Sequence, residues 1–319
     1  MFNFTEAVKR KKRKMFIKNQ TLVDKLIRLK KQRNAVILAH NYQLGEVQDI
    51  ADFVGDSLGL SQKAAQTGAE VIVFCGVHFM AETASILCPD KIVLFPELSA
   101  GCPMADMVTA EKLKEKKQKY GHPYVVCYIN STAEVKAESD VCCTSANAVK
   151  IVGELDQTKK VLFIPDQYLG NYVANQVGKE IILWPGYCPT HLRILPQDIL
   201  RLRKEHPQAK VIVHPECRPE VISLADEIQS TGGMCRYAKT IENNEIIVGT
   251  ELGLIHRLRK ENPAKKFFSV SEQAICPNMK LITLEEVVWS LKEMQHQIKV
   301  PPRIANRARK AVDRMLELR

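Results

Sequence analysis

The 319-residue chain contains no C-x-x-C pair, no zinc-finger spacing, and no run approaching the ~20 continuous apolar residues of a membrane helix. The first two absences argue against the paired knuckles that commonly mark structural zinc. The third argues against a helical membrane span; with no apolar signal core near the N-terminus, the cytoplasm is the expected compartment. Aromatic residues make up only 6% of the chain, and no aromatic-rich stacking motif accompanies its positive charge. The net charge of +10 is therefore a weak sign of nucleic-acid binding, because six of those charges belong to one run, Lys9–Lys14 (KRKKRK). That run reads as a solvated N-terminal extension over residues 1–20, leading into a surface helix with Leu22, Leu26 and Leu29 on one face. Neither nucleic acid nor a membrane is an expected partner.

What is present points elsewhere. A chain this long with 45% hydrophobic residues can bury a large core and should divide into two or three domains. It has 10 cysteines, and in a reducing compartment they argue for free thiols and metal ligation rather than a disulfide framework. Cys75 and Cys127 lie in apolar runs and read as small core residues. Cys88, Cys142, Cys143, Cys217 and Cys235 are ambiguous.

The remaining three stand in Cys-Pro steps at Cys102, Cys188 and Cys276, separated by 188 − 102 = 86 and 276 − 188 = 88 residues. Such spacing is that of one α/β unit and suggests a threefold repeat. Apolar runs ending in polar residues occur at Ala35–Tyr42, Tyr124–Asn130 and Val211–Glu216 and read as buried strands. Taking His40, Tyr128 and His214 as equivalent, a hydroxyl follows each by 17 residues, at Ser57, Ser145 and Thr231, and a Cys-Pro cysteine by 62, 60 and 62. Second strands are predicted at Val71–Phe74, Val161–Ile164 and Ile246–Val248, third strands at Ile92–Phe95, Ile181–Trp184 and Phe267–Val270. Val47–Gly55 and Ala146–Leu155 read as amphipathic helices between them. Strands alternating with helices imply an α/β fold with parallel sheets covered on both faces, with ligands beyond the carboxyl ends of the strands. Leu284–Ile298 and Pro302–Leu318 read as C-terminal helices capping the assembly, and Trp289 as a core residue.

Three converging thiols suit a catalytic zinc or an iron–sulfur cluster; three cysteines on such a cluster leave one iron open. His40, His191, His214, Tyr42, Tyr128 and Glu216 supply proton donors and acceptors. Ser57, Ser145 and Thr231, expected where helices start, form a candidate anion cradle, although a lone hydroxyl there is usually only an N-cap.

AHNYQ (Ala39–Gln43), GDSLGLS (Gly55–Ser61), FCGVHFMAETA (Phe74–Ala84), GCPMAD (Gly101–Asp106), PDQYLG (Pro165–Gly170), WPGYCPTH (Trp184–His191), HPEC (His214–Cys217), GTE (Gly249–Glu251) and CPNMK (Cys276–Lys280) together resemble the quinolinate synthase family, from about residue 20 onward. The resemblance implies an oxygen-sensitive enzyme of de novo NAD biosynthesis that condenses iminoaspartate with dihydroxyacetone phosphate. It also implies three pseudo-equivalent three-layer αβα domains around a central site, here 21–110, 111–195 and 196–283, with 284–319 packed on the assembly. A [4Fe–4S] cluster would be held by Cys102, Cys188 and Cys276. Substrate would meet His40, Ser57, Tyr128, Asn130, Ser145, His214, Glu216 and Thr231, with Tyr42, Glu216, His40 and His214 sharing the proton transfers. An L-aspartate-oxidising enzyme and iron–sulfur assembly proteins are the implied protein partners.

Overall fold

The computed structural model describes residues 20–156 and 158–317, so the Lys9–Lys14 run lies outside the described residues. Residues 20–32 are helical, with Leu26 buried and Leu22 and Leu29 packed against the main core, as their spacing implied.

Three four-stranded parallel sheets follow. The first contains β1 (Ala35–His40), β2 (Phe53–Gly55), β3 (Val71–Cys75) and β4 (Ile92–Leu94). The second contains β5 (Tyr124–Tyr128), β6 (Val141–Cys143), β7 (Val161–Ile164) and β8 (Ile181–Leu183). The third contains β9 (Lys210–Val213), β10 (Glu227–Ile228), β11 (Glu245–Gly249) and β12 (Lys266–Ser269). Their orders, β2-β1-β3-β4, β6-β5-β7-β8 and β10-β9-β11-β12, are the same pattern three times. The central strands are mainly apolar because helices cover both faces; every residue of β3 and β7 is buried. The first two sheets and the helix Leu284–Glu293 share one core. The third sheet has a separate cluster on each face, Val211, Val213 and Ile247 on one and Ile212, Ile246 and Val248 on the other, as strand alternation requires. The final helix, Pro302–Glu317, lies against the helices Ala133–Ala137 and His78–Leu87 and against β6.

Two expectations are corrected. Val47–Gly55 is not one helix: the helix Gly45–Ile50 ends and β2 begins at Phe53. Trp289 is not a core residue; it is 43% exposed and lies beside the His296 ring at 5.1 Å.

The short strands β2, β6 and β10 share a device that explains their brevity. In each repeat an aspartate stands immediately before the short strand, and its Oδ2 accepts the N–H of a residue on the first strand: Ile37 to Asp52, Val125 to Asp140 and Val211 to Asp226, each 2.8 Å. The aspartate N–H returns a bond to the carbonyl of the same residue, at 2.9, 3.1 and 2.8 Å. A side chain thus satisfies a donor that a longer neighbouring strand would otherwise have to meet. Partial burial works against the ionised form of Asp226. The Val211 N–H, Arg203 and Lys210 outweigh that penalty and hold its carboxyl below the usual range. Because the folded pKa is depressed, the contribution is present above the unfolded value of about 4 and lost as pH falls through the folded one. Asp226→Ala is expected to cost about 1–2 kcal/mol in urea unfolding at neutral pH, with the deficit shrinking in acid. Turnover should not change, because Asp226 faces the start of β9 and the candidate site lies beyond its end.

Candidate active site

The carboxyl ends of β1, β5 and β9 point toward one cavity of ≈ 70 Å³. His40 and Tyr128 close their strands, while His214 sits one residue past β9. Lining the cavity are His40, Tyr42, Ser57, Tyr128, Asn130, Ser145, His214, Glu216 and Thr231, together with Cys102, Cys188 and Cys276. The fold therefore brings together every residue singled out for the site.

The hydroxyls are free of capping duty. Ser57 and Thr231 are the first residues of the helices Ser57–Gln66 and Thr231–Thr240, but the caps are the residues before them. Asp56 accepts from Gly59 N–H at 2.9 Å and Ser230 from Gly233 N–H at 3.1 Å. Thr231 accepts instead from Asn41 Nδ2 at 2.8 Å, and Arg257 holds that amide through its Oδ1 at 2.7 Å, so the Thr231 O–H remains available to a ligand. Ser145 departs from the expected pattern: it lies on a turn before the helix Ala148–Gly153 rather than at its start. Asn130 Oδ1 is buried and has no hydrogen-bond partner, an open acceptor in a residue that lines the cavity.

Glu216 is the hub of the polar network. Its Oε2 lies 2.7 Å from His191 Nδ1 and 3.6 Å from His214 Nδ1, and its carboxylate accepts from the Tyr128 hydroxyl. Burial disfavours its ionised form, but His191, His214 and Tyr128 more than compensate and hold the carboxyl down to about 2. Burial pushes His40 and His214 down to about 3, against the pull of Glu216, so both are neutral at physiological pH. Their tautomers follow from local geometry: Tyr42 N–H points at His40 Nδ1 (3.2 Å) and Glu216 N–H at His214 Nδ1 (3.3 Å). With Nδ1 accepting, Nε2 carries the proton, and His214 Nε2 donates it to Ser145 Oγ at 3.2 Å. Burial, reinforced by Glu216, keeps the Tyr42 and Tyr128 phenols protonated.

Two further neighbours of the site, Thr250 and Glu251, belong to the GTE segment, to which sequence reading attaches no site role. Thr250 Oγ1 bridges Tyr42 Oη (2.6 Å) and His191 Nε2 (2.9 Å). Fully buried Glu251 accepts the Cys276 N–H at 3.0 Å and the Gly253 N–H at 2.7 Å and pairs with Lys280 Nζ at 2.9 Å. Lys280 also bonds the Tyr42 carbonyl, tying the tyrosine segment to the cysteine loop. At Gly253 a Cβ would meet Glu251 Oε2, Lys280 Nζ and the Tyr42 carbonyl, each at 2.8 Å, so this junction closes only around glycine.

The cysteines divide cleanly. Cys75, Cys88, Cys127, Cys142, Cys143, Cys217 and Cys235 are buried, whereas Cys102, Cys188 and Cys276 are partly open and line the cavity. Burial pushes the Cys102 thiol up to about 12, and Cys188 and Cys276 also rise; Cys276 adds to the shift at Cys102, and Cys102 to that at Cys188. Only a cation would make thiolates of such thiols. Three soft donors, one from each repeat, fit a thiophilic metal group. A mixed set, Cys188, His191 and Glu216, has ligand atoms within 4.8 Å of one another, a spacing that the three thiols do not meet among the described residues. Its nitrogen and oxygen already satisfy one another at 2.7 Å, and a cation there would have to break that bond.

Comparison with known proteins agrees with this geometry. The family model described as Quinolinate synthetase A protein matches residues 24–317. The chain is 62% identical over 294 residues to the quinolinate synthase of Dehalococcoides mccartyi (strain CBDB1), covering 92% of this chain and 97% of that protein. It is 56% identical over 298 residues to the quinolinate synthase of Methanosarcina barkeri (93% and 98% covered) and 56% over 297 to that of Thermodesulfovibrio yellowstonii (93% and 98%). The chain belongs to the quinolinate synthetase A family.

Proposed function

We propose that this protein is a quinolinate synthase of NAD biosynthesis, condensing iminoaspartate with dihydroxyacetone phosphate to give quinolinate, phosphate and water. The observation that carries the reading is the convergence of one Cys-Pro thiol from each repeat on the cavity that also holds the Glu216 network. In this reading the repeats are domains spanning 21–110, 111–195 and 196–283, and Cys102, Cys188 and Cys276 hold a [4Fe–4S] cluster. Bound there, the cluster would supply an open iron as Lewis acid for substrate oxygen or nitrogen.

The chain's own residues do the rest. Ser57, Ser145 and Thr231 bind carboxylate or phosphate oxygens through neutral hydroxyls, and Asn130 offers an acceptor to a substrate N–H or O–H. Neutral donors hold an anion without cancelling the charge that must move during the reaction. Glu216 is the base: bound carboxylates add like charge beside it and raise its proton affinity, and His191 and Tyr128 orient it. Tyr42, protonated throughout the physiological range, is a donor to departing oxygens, while the Tyr128 O–H stays on Glu216. His40 and His214 pass protons at Nε2, the latter through Ser145.

Thr250 positions the Tyr42 hydroxyl against His191. Thr250→Val is expected to lower kcat about tenfold, the value of roughly one hydrogen bond, with iron content and KM retained and Thr250→Ser close to wild type. Steady-state kinetics beside iron analysis checks this.

The setting we propose is a reducing cytoplasm, with an L-aspartate-oxidising enzyme supplying the labile iminoaspartate and iron–sulfur assembly proteins loading the cluster. The deciding experiment is anaerobic purification followed by an assay for quinolinate from the two substrates, with iron and sulfide measured on the same sample. Protein that carries the cluster yet forms no quinolinate would overturn the reading.

A further inference from the structure

His40, His214, Glu216 and Thr231 are all nearly inaccessible to solvent, so substrates need a doorway. Two outer cavities share lining residues with the central one. The first meets it at Phe79, Gly101 and Cys102, the second at Ser145. Charge separates them. The doorway beside Cys102 carries two carboxylates, Glu82 and Asp106, with His78 3.9 Å from Glu82, and it opens onto a thiol rather than onto the hydroxyl cradle. The doorway beside Ser145 is lined by Ala146, Tyr172, Gln229, Ser230 and Arg236, and Arg236 is its one charged residue. Among the described residues Arg236 makes no ion pair, although the Asp56 carboxylate, which accepts from Ser230 Oγ at 3.4 Å, lies near it across Gly232, where a Cβ would sit 2.4 Å from Asp56 Oδ2 and 3.5 Å from an Arg236 nitrogen. Both proposed substrates are anions, as are quinolinate and phosphate. An acidic mouth repels such molecules, and an unpaired guanidinium attracts them.

We propose that the cavity over Ser145 is the port through which the anionic substrates enter, and that Arg236 at its mouth captures their carboxylate or phosphate groups and delivers them to the hydroxyl cradle. This inference rests on the function proposed above. Arg236 takes no part in the chemistry, so its removal acts on encounter rather than on turnover.

The test measures kcat and kcat/KM for each substrate against ionic strength in wild type, Arg236→Gln and Arg236→Lys, beside two plugs at exposed positions, Ala146→Trp in the proposed port and Ser99→Trp in the acidic cavity. Arg236→Gln is expected to lower kcat/KM about tenfold at low salt with kcat intact, a difference that fades as salt rises, because steering is screened. Arg236→Lys should recover most of the loss. Ala146→Trp should depress kcat/KM for both substrates, and Ser99→Trp should not. Wild-type kcat/KM in either Arg236→Gln or Ala146→Trp, a salt-independent loss in Arg236→Gln, or a loss confined to Ser99→Trp overturns the port while leaving the enzymatic reading standing. Cluster-loaded wild type that makes no quinolinate overturns both.

Discussion

Replacing Cys188 with serine is expected to remove iron and quinolinate formation together. The hydroxyl that results is a harder, far less acidic donor than a thiol, and it cannot supply the soft anionic ligand that an iron–sulfur group requires. Even partners one shell removed from a metal are worth about 10–100-fold in affinity or activity, so losing a direct ligand should exceed that range. The expected sample is colourless, folded and inactive. Cys217→Ser is the control: Cys217 is a buried cysteine near a strand end whose Sγ faces the Gly249 carbonyl, and it does not line the cavity. That variant should keep its iron. Equal loss of iron from both proteins would point to general destabilisation, and a brown, active Cys188→Ser protein would sink the ligand assignment. The experiment also decides between the donor sets, since Cys188 belongs to both while Cys102 and Cys276 belong only to the thiol set. Loss of iron from Cys102→Ser and Cys276→Ser as well selects the three thiols.

Glu216→Gln is expected to do the opposite, keeping the metal and losing turnover. Glutamine has nearly the shape of glutamate, and its carbonyl oxygen can still accept from His191 or Tyr128. The fold and the cysteine loops should therefore persist. What disappears is the negative charge and the capacity to take a proton, and general-base catalysis is typically worth 10²–10⁴. A fall in kcat of about 10³ with wild-type iron content is the expected result. Glu216→Gln protein with wild-type kcat would remove Glu216 from the proton chemistry, and a protein that lost its iron would favour the Cys188, His191 and Glu216 set as the metal site. The two variants thus separate the metal from the proton transfers.

Much of this site was legible as phase. His40, Tyr128 and His214, then Ser57, Ser145 and Thr231, then the three Cys-Pro cysteines recur at equivalent places, and equivalent places on repeated sheets face a common centre. The aspartates Asp52, Asp140 and Asp226 hold the same phase, since 140 − 52 = 88 and 226 − 140 = 86. Without it β2, β6 and β10 could not be seen. Strands of two or three residues have too few positions to show alternation, and Val47–Gly55 mixes apolar and polar residues at helical spacing, which hides β2. Trp289 misled for a related reason: its ring is large and apolar, yet it sits on the outer face of its helix.

Thr250, Glu251 and the pairing of Glu216 with His191 rather than with His214 were not legible. The contacts of Thr250 and Glu216 depend on distances between loops of different repeats, whereas Glu251 holds the cysteine loop of its own repeat, as Asp166, likewise two residues past its strand, does for Cys188. The charge difference between the two doorways is of the same kind. By itself the sequence determined a threefold parallel α/β chain with one Cys-Pro thiol and one hydroxyl in phase per repeat, because strand periodicity and residue type at strand ends are local properties that repetition amplifies. Only the tertiary structure decided which base each proton donor meets and which acid holds which cysteine loop. Those are sums over contacts among segments far apart in the chain, and burial there turns differences of an ångström into changes of protonation state.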